Sequence, residues 1–484
     1  MSAASGRGIR ALTLVASATG AAVVALDGTV LVVVQPSLQR ELGVTLAQVQ
    51  WTSTGYLVAV AGLLVFAGRL GDRYGHRRLF ALGMLGFGAA SAGIGVADGI
   101  GWVIALRAVQ GVFGALLQPA TLGMLRTAFP PERLGMPIAV RTSVIGLAAA
   151  AGPVLGGVVA AELGWRAVFF LNVPAALAVG LPVLLVRRSA PVSAPPGGLD
   201  LPGAGLFAVA LLCLVHTLIA VPQGGWTAVS GLGAVAGAAA SVAFVRHERR
   251  TRAQPLLPAG LLRTPGISPA LALLLLASAA LHGTLFIGTF LLQDVIGLDP
   301  FECGLRTLPL AATMVAGAPL CAVLLRRYGP RRVAQGGVMV LAAGVGLLSR
   351  TDADTGAGAV GVAFFALGAG FAAVMVTATS VVVRRAPAKH AGVAGGLKQT
   401  VMNLGPASGV AVATTLMSAW TPVGRSADAA FVAAAGPTLT ALALALAAGA
   451  GLLPAARLAV PDQSVRGSGS PAAVGERSGV TGKY

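Results

Sequence analysis

Residues 68–80 read Gly68-Arg69-Leu70-Gly71-Asp72-Arg73-Tyr74-Gly75-His76-Arg77-Arg78-Leu79-Phe80 and lie between two long apolar runs. A run of arginines is typical of a solvated loop. The glycines around a single acid indicate more than that, because glycine permits a tight turn and close backbone approach. In such a turn Asp72 can accept hydrogen bonds from a neighbouring helix end or from an arginine. The segment therefore predicts a structured turn between two helices.

A degenerate copy of this segment, Arg326-Arg327-Tyr328-Gly329-Pro330-Arg331-Arg332, follows about 254 residues later and again separates apolar runs. It keeps the order of arginine, tyrosine, glycine and paired arginines, but Arg326 stands where the first copy has Asp72. Two matching loops predict two related halves of one chain.

The composition is that of a membrane protein. Of 484 residues, 56% are hydrophobic and only 10% are charged, whereas about a quarter of a soluble chain is charged. The apolar residues occur in runs of about twenty, enough to cross a bilayer as a helix. Because the runs lack the alternation of barrel strands, they predict an all-α polytopic membrane protein.

The formal net charge of +18 raises the possibility of nucleic acid binding. The arginines, however, cluster in short segments between apolar runs and do not form a basic domain, so nucleic acid is not an expected partner. The three cysteines have no paired spacing and predict neither a disulfide framework nor a metal site. No phosphate-binding loop or HExxH motif is present, so we expect no cofactor, no ATP site and no enzyme activity.

Fourteen apolar spans are predicted, in groups of six, two and six. The Pro/Ser/Gly-rich segment 189–198 is the clearest boundary, and the tail after Pro461 has a disordered composition. The predicted organisation is an N-terminal six-helix bundle over 1–188, a linker with two extra helices over 189–266, a C-terminal six-helix bundle over 267–456 and a disordered tail over 457–484.

The distribution of arginine and lysine predicts the orientation. Alternate loops are strongly basic, including the segments around Arg73, Arg249, Arg327 and Arg385, whereas the intervening loops carry more acids. Because basic loops remain in the cytoplasm, both termini are expected there. The chain is expected in the cytoplasmic membrane, in contact with lipid. It is also expected to be a monomer.

Several motifs resemble the major facilitator superfamily. Residues 68–77 are similar to its first signature, and residues 107–115 to its Arg-x-x-Gln-Gly-x-x-Gly-Ala signature. Gly152-Pro153-Val154-Leu155-Gly156-Gly157 resembles the motif associated with antiporters, and residues 164–174 resemble the entry into span six. Residues 26–30, Leu-Asp-Gly-Thr-Val, are similar to the fourteen-span drug:proton antiporters of this superfamily.

The resemblance covers residues 11 to 456 and implies the major facilitator fold, with two six-helix bundles and two additional central helices. This chain has Val32 where the subgroup usually has asparagine, and Lys398 where asparagine is again usual. We expect Lys398 to extend towards the membrane interface. The resemblance also implies that Gly152, Pro153, Gly156 and Gly157 form a hinge or seal that prevents leakage.

Asp27 and Arg107 are the candidate proton-coupling residues. Both lie in the outer halves of their spans, at similar depths counted at 1.5 Å per residue. A carboxylate at that depth is costly unless it is protonated, paired or hydrated, and burial favours its protonated form while a nearby cation favours the ionised form. We therefore expect Arg107 to approach Asp27 and tune its proton affinity; the alternative is that each residue has only a structural role.

Two further groups are expected to act on conformation and substrate. A conformational latch between helices is predicted from Gly68, Asp72, Arg73, Gly75, Arg77 and Arg141, with Arg141 as a possible partner of Asp72; the alternative is a solvated or lipid-bound charge cluster. The candidate substrate cavity residues are Trp51, Tyr56, Gln118, His282, Phe286, Gln293 and Asn403. Core packing is the alternative for the aromatic residues, and a hydrogen-bonded packing role is the alternative for His282.

The leading functional hypothesis is proton-coupled efflux of small amphipathic, often cationic, drugs or metabolites by alternating access, with protons and the substrate as partners. One alternative is uptake of a nutrient or metabolite with protons. An alternative of another class is a non-transporting membrane sensor or scaffold.

Overall fold

The chain folds as a bundle of long helices. Two predicted segments, the linker 189–198 and the tail 457–484, lie outside the residues that are described. The computed structural model describes residues 3–185, 199–225, 227–251, 255–298, 300–352, 355–420 and 427–451.

The first half contains the helices of the predicted N-terminal bundle. A 3₁₀ turn, Pro131–Arg133, precedes α5, and the sixth predicted span is divided at Leu171 into two helices. The helices are α1 Ala3–Leu42, α2 Leu46–Tyr74, α3 His76–Gly95, α4 Ile100–Ala128, α5 Gly135–Leu163, α6 Trp165–Phe170 and α7 Asn172–Leu185.

The second half repeats this order after two additional helices. A π-helical turn, Leu291–Val295, follows α11, and a 3₁₀ turn, Ala388–His390, precedes α14. The helices are α8 Leu201–Gly224, α9 Ala228–Arg250, α10 Ala259–Arg263, α11 Ile267–Phe290, α12 Pro300–Leu348, α13 Ala357–Arg385, α14 Ala391–Trp420 and α15 Ala427–Gly451.

The two arginine-rich segments have the same backbone turn. Gly75 separates α2 from α3 with φ 96°, and Gly329 interrupts α12 with φ 76°. A side chain at a positive φ is disfavoured, so glycine ends each helix and allows the next to begin at once. Tyr74 and Tyr328 are exposed just before each turn, with the Arg73 and Arg327 guanidinium carbons 5.6 and 5.4 Å from the respective ring centroids. The turns support the predicted relationship between the two halves.

Helix length and hydropathy give a number of candidate membrane spans close to the predicted fourteen. Twelve helical segments among the described residues are long and apolar enough to cross a bilayer. One of the twelve, Glu302–Leu348, contains the turn at Gly329 and so consists of two helical arms. Helix α14, which carries Lys398, Gln399 and Asn403, is not among the twelve. The count of fourteen therefore stays a prediction.

Each half has its own apolar core. In the first half, Phe80, Met84, Phe87 and Leu117 are fully buried between α2, α3 and α4. In the second half, a larger cluster joins α11, α13 and the later arm of α12 to α14 and α15. Helix α8 packs on α2 and α14, at the seam between the halves, and α9 packs on α8. The extra pair thus lies beside the seam.

The two halves meet at one end of the bundle. This end, here termed the basic face, contains the turns at Gly75 and Gly329 and the first turns of α5 and α14. Near it, Ala139 of α5 packs against Ala318 and Cys321 of α12, and Ser143 Oγ donates a 2.6 Å hydrogen bond to the Val315 carbonyl. Helix α14 likewise packs against α2 and α4. The structure is therefore closed at the basic face.

Candidate functional site

Asp27 is buried in the middle of the first-half bundle. Its residue is 5% exposed and it lies within α1, in a segment long and apolar enough to cross the membrane. An ionised carboxylate in such a place requires partners that supply charge and hydrogen bonds.

Arg107 of α4 supplies the opposite charge. Its Nη1 donates a 2.7 Å hydrogen bond to Oδ2 of Asp27, and the arginine is 1% exposed. The guanidinium is fixed on two further sides: Nε donates to the Thr52 carbonyl at 3.1 Å, and the Tyr56 ring lies 4.5 Å from Cζ. The structure thus brings Asp27 and Arg107 together and places Tyr56 against them.

Three amide and hydroxyl side chains complete the environment of Asp27. Gln110 Nε2 and Asn172 Nδ2 donate to Oδ1 of Asp27 at 3.0 and 3.1 Å. Gln110 Oε1 accepts from Arg107 Nη1 at 2.5 Å, and Ser91 Oγ accepts from both amides at 2.7 and 3.3 Å. The carboxylate is therefore held by donors from α4 and α7, with Ser91 contributed by α3.

Sequence reasoning did not assign Gln110, Asn172, Ser91 or Thr52 to this site. Gln110 could have been found, because it follows Arg107 by three residues and so lies on the same helix face. Asn172 is a polar residue within an apolar run, which is also a usable signal. Ser91 and Thr52 are common helix residues, and only the tertiary packing identifies them.

The arrangement can couple protonation to structure. Ionised Asp27 accepts a charge-assisted bond from Arg107 and two amide bonds, and all of these partners are buried. Protonation removes the negative charge, so the ion pair is lost and the Arg107 charge is left without its counter-charge. Loss of the pair would remove a direct bond between α1 and α4, because each helix contributes one member of the pair.

The glycines of the antiporter-like motif pack α5 directly onto α1 beside Asp27. A Cβ at Gly152 would collide with the side chain of Thr29, and a Cβ at Gly156 would lie 2.8 Å from Val30 Cγ1. Gly157 has more space, with Val33 3.8 Å away. The Pro153 side chain lies outside the described residues, although the backbone there is helical. Small residues thus allow the close contact that positions the Asp27 segment.

At the basic face, Asp72 joins the two halves. Its Oδ1 accepts a 2.6 Å hydrogen bond from the backbone N–H of Gly392, and its Oδ2 accepts a 3.0 Å bond from that of Val393. These N–H groups belong to the first turn of α14, where a helix favours negative charge. His76 Nε2 lies 3.3 Å from the same carboxylate.

Glycines allow this contact. A Cβ at Gly68 would collide with the Gly392 carbonyl oxygen, and one at Gly392 would collide with that of Gly68. Nearby, Arg69 Nη1 lies 3.4 Å from His390 Nδ1, which links α2 to the turn before α14. Of the other expected latch residues, Arg73 stacks on Tyr74, Gly75 forms the turn and Arg77 is half-buried on α3.

Two expectations about charged residues are wrong. Arg141 is not the partner of Asp72, which instead bonds to the backbone of α14. Lys398 does not extend to the interface but is 1% exposed, because its position on α14 faces neighbouring helices and not lipid. Arg141 lies close enough to Lys398 for their charges to interact.

The predicted cavity residues are distributed over several helices. Trp51 is exposed and Gln118 buried, and His282 Nδ1 donates to the Ser278 carbonyl of its own helix at 2.8 Å. Phe286 contacts Phe290 edge-on. The π turn holds a half-buried Gln293, and Asn403 accepts from Gln399 at 3.4 Å. Their role in binding stays a prediction.

The helical bundle, with twelve candidate membrane spans among the described residues, is that of a multi-span membrane protein. The model of the Major Facilitator Superfamily matches residues 17–410, so the chain belongs to that superfamily. The family recognised from the sequence is confirmed.

Similar proteins include several bacterial exporters. The "Tetracenomycin C resistance and export protein" of Streptomyces glaucescens is 41% identical over 407 residues, covering 84% of this chain and 76% of that protein. The "Probable actinorhodin transporter" of Streptomyces coelicolor is 35% identical, with 81% and 69% covered. The structure of the human organic anion transporter MFSD10 (TETRAN) has a TM-score of 0.65 at 16% identity, covering 92% of this chain and 99% of that one, which supports the fold.

Proposed function

We propose that this protein exports small amphipathic drugs or metabolites across the cytoplasmic membrane in exchange for protons. The single observation that carries the proton coupling is the buried Asp27–Arg107 pair, 2.7 Å apart within the first-half bundle. The name of the similar Streptomyces glaucescens protein, which refers to resistance and export, supports export over uptake. The family resemblance adds that substrates are often cationic.

The orientation is part of the proposal. The basic face is cytoplasmic, as are both termini, since arginine-rich loops are retained there. The structure then corresponds to a state that is closed towards the cytoplasm. The chain acts as a monomer with fourteen spans, and the two halves rock about a site near the midplane.

Protonation and conformation are linked through the Asp27 network. When the proton enters from the outer side, Asp27 becomes neutral and Arg107 loses its counter-charge. The bundle then favours a different packing of α1 against α4 and α5, in which the basic face is open and substrate can bind. Release of the proton restores the ion pair and closes that face. The substrate binds in the state that the proton favours, and its binding promotes release of that proton, which couples their flows by linkage.

The test uses the purified protein in proteoliposomes with an imposed pH gradient, and tetracenomycin C and actinorhodin as the first substrates. Wild-type protein is expected to move at least one of them with the gradient and to release protons on binding it. Asp27→Asn should abolish both the gradient dependence and the proton release, because the amide cannot carry a proton across the cycle.

Folding must be separated from coupling, because Asp27→Asn leaves Arg107 buried without a counter-charge, at a cost of about 3–5 kcal/mol. The double variant Asp27→Asn/Arg107→Met removes both charges and should recover thermal stability but not coupling. Asp98→Asn changes an exposed acid in the loop between α3 and α4 and is the matched control. Wild-type proton release from a folded Asp27→Asn protein would refute the proposal.

A further inference from the structure

Two buried basic side chains lie on helices from opposite halves of the protein. Arg141 of α5 is 3% exposed and Lys398 of α14 is 1% exposed. Their charges interact, yet no carboxylate among the described residues is paired with either. Arg141 Nε has no hydrogen-bond partner within the described part of the chain, and Lys398 Nζ reaches Gln399 Oε1 only at 3.5 Å.

The two residues occupy equivalent positions in the internal repeat. The 3₁₀ turns Pro131–Arg133 and Ala388–His390 precede α5 and α14 and lie 257 residues apart. In this register Arg141 corresponds to Lys398, 257 residues further along the chain. A pair related by the pseudo-twofold axis meets near that axis, where major facilitator proteins have their central passage.

Their depth places them above the contact that closes the basic face. Arg141 is six residues into α5 and Lys398 seven residues into α14, or about 10 Å from the helix ends at 1.5 Å per residue. Asp72 bonds to the first turn of α14, one to two turns nearer the basic face. Opening that contact would therefore expose the cation pair to molecules entering from this side.

We propose that Arg141 and Lys398 bind the anionic group of the transported molecule, such as a carboxylate or an acidic phenol. This inference rests on the proposed export function and specifies its substrate class. That class differs from the cationic substrates that the family resemblance predicts.

The physical argument is the cost of burying two like charges. Each buried ion loses several kcal/mol of hydration, and removing a counter-charge makes a buried charge strongly destabilising. An anion between the two cations would supply that counter-charge through charge-assisted hydrogen bonds, which a guanidinium and an ammonium both donate. The substrate would then assist closure of the basic face behind it.

Further donors lie on a neighbouring helix. The hydroxyls of Thr377 and Ser380, one turn apart on α13, are buried without a hydrogen-bond partner among the described residues. Helix α13 packs against α5 through Ala373, Val376 and Ala139, so these hydroxyls belong to the helix layer adjoining Arg141. They are candidate donors to the same anion.

The test measures binding of three fluorescent probes of matched shape to the purified full-length protein. The probes are anthracene-9-carboxylate, anthracene-9-carboxamide and anthracen-9-ylmethylammonium, with charges of −1, 0 and +1. The wild-type protein should bind the carboxylate at least ten times more tightly than the amide, and the ammonium most weakly. A sodium chloride titration shows whether a small inorganic anion occupies the site equally well.

Lys398→Met and Arg141→Met should each remove the preference for the carboxylate, whereas Lys398→Arg should keep it. Thermal unfolding gives a second measure that also checks folding. Each Met variant should be at least as stable as the wild type without a probe, because one buried like charge is gone. The carboxylate should raise the unfolding temperature of the wild type and not that of the Met variants.

Equal affinity for carboxylate and amide, absence of carboxylate binding, saturation by chloride alone, or an unchanged preference in both Met variants would each overturn the inference. Failure of the export proposal gives a different pattern. There, the carboxylate preference would persist, but neither the pH gradient nor Asp27→Asn would affect movement of the bound probe in proteoliposomes.

Discussion

The turn at Gly75 and the turn at Gly329 share a backbone but differ in what they hold. In the first, Asp72 bonds to the N–H groups of Gly392 and Val393 in the other half of the protein. In the second, Arg326 stands at the equivalent position and is exposed. Both turns therefore have the same backbone shape, but only the first carries a carboxylate, that of Asp72.

The helices that carry these turns also approach their partners differently. Gly68 of α2 is in backbone contact with Gly392 of α14, whereas the equivalent position on α12 is Ala322, which packs in an apolar cluster with Ala139 of α5. Close approach allows hydrogen bonding on one side, and methyl groups fill the contact on the other. The closed basic face is thus stabilised by a polar contact between α2 and α14 and by an apolar contact between α5 and α12.

Asp72→Asn is expected to have the largest effect on closure of the basic face. The amide keeps the shape but loses the charge and one acceptor, at a cost of about 2 kcal/mol, or about 30-fold in the equilibrium between closed and open basic face. Cys321 is buried at the α5–α12 contact and can report opening. In a protein with Cys213 and Cys303 changed to serine, a water-soluble maleimide should label Cys321 about 30 times faster in the Asp72→Asn variant.

The control is Arg326→Gln, which neutralises the equivalent residue of the second turn. Because Arg326 is exposed, labelling of Cys321 should change less than about twofold, in line with other exposed charges. Similar labelling rates in the two variants would show that the charge difference between the turns does not matter for closure.

A smaller effect is expected from Gly68→Ala, which leaves every charge in place. The added methyl meets the Gly392 carbonyl oxygen, and overpacking of this kind costs about 1–2 kcal/mol. Labelling of Cys321 should rise about tenfold. Gly336→Ala is the matched control, because a Cβ there has nothing within 4 Å. If both variants label at the wild-type rate, close approach is not required for the contact.

Sequence reasoning reached the architecture because bilayers restrict it so strongly. Apolar runs of membrane length predicted the helices, and the all-α fold and the family are confirmed. The duplicated arginine segment predicted two related halves, since a glycine at the same place in both copies indicates the same backbone turn. Depth counting along α1 and α4 placed Asp27 near Arg107, because helical rise is constant.

Contacts between the halves could not be obtained in this way. The partner of Asp72 is the backbone of Gly392 and Val393, and backbone groups leave no signature in side-chain chemistry. Lys398 was expected at the interface because a single lysine near a span end usually extends there. Its burial depends on which helices cover that face of α14, which is a tertiary property. The domain limits and the roles of the site residues stay predictions.

The smallest expected effect concerns pH and His390. This residue lies at the contact between α2 and α14, with its Nδ1 3.4 Å from Arg69 Nη1. Burial, and then the charge of Arg69, lower the pKa of His390 from its ordinary value of 6.5; Asp72 opposes this shift and Lys389 adds to it.

Because the closed form binds the His390 proton more weakly than the open form does, the stabilisation by neutral His390 is complete above pH 6.5 and is lost as pH falls through the lowered pKa. Acidification from pH 8 to 5.5 should therefore open the basic face through this residue by a factor below about ten, the limit set by an ordinary pKa of 6.5. The ratio of Cys321 labelling in wild type to that in His390→Gln, taken at each pH so that the pH dependence of the thiol cancels, should rise by that factor. A ratio independent of pH would assign the sensitivity of this contact to another group.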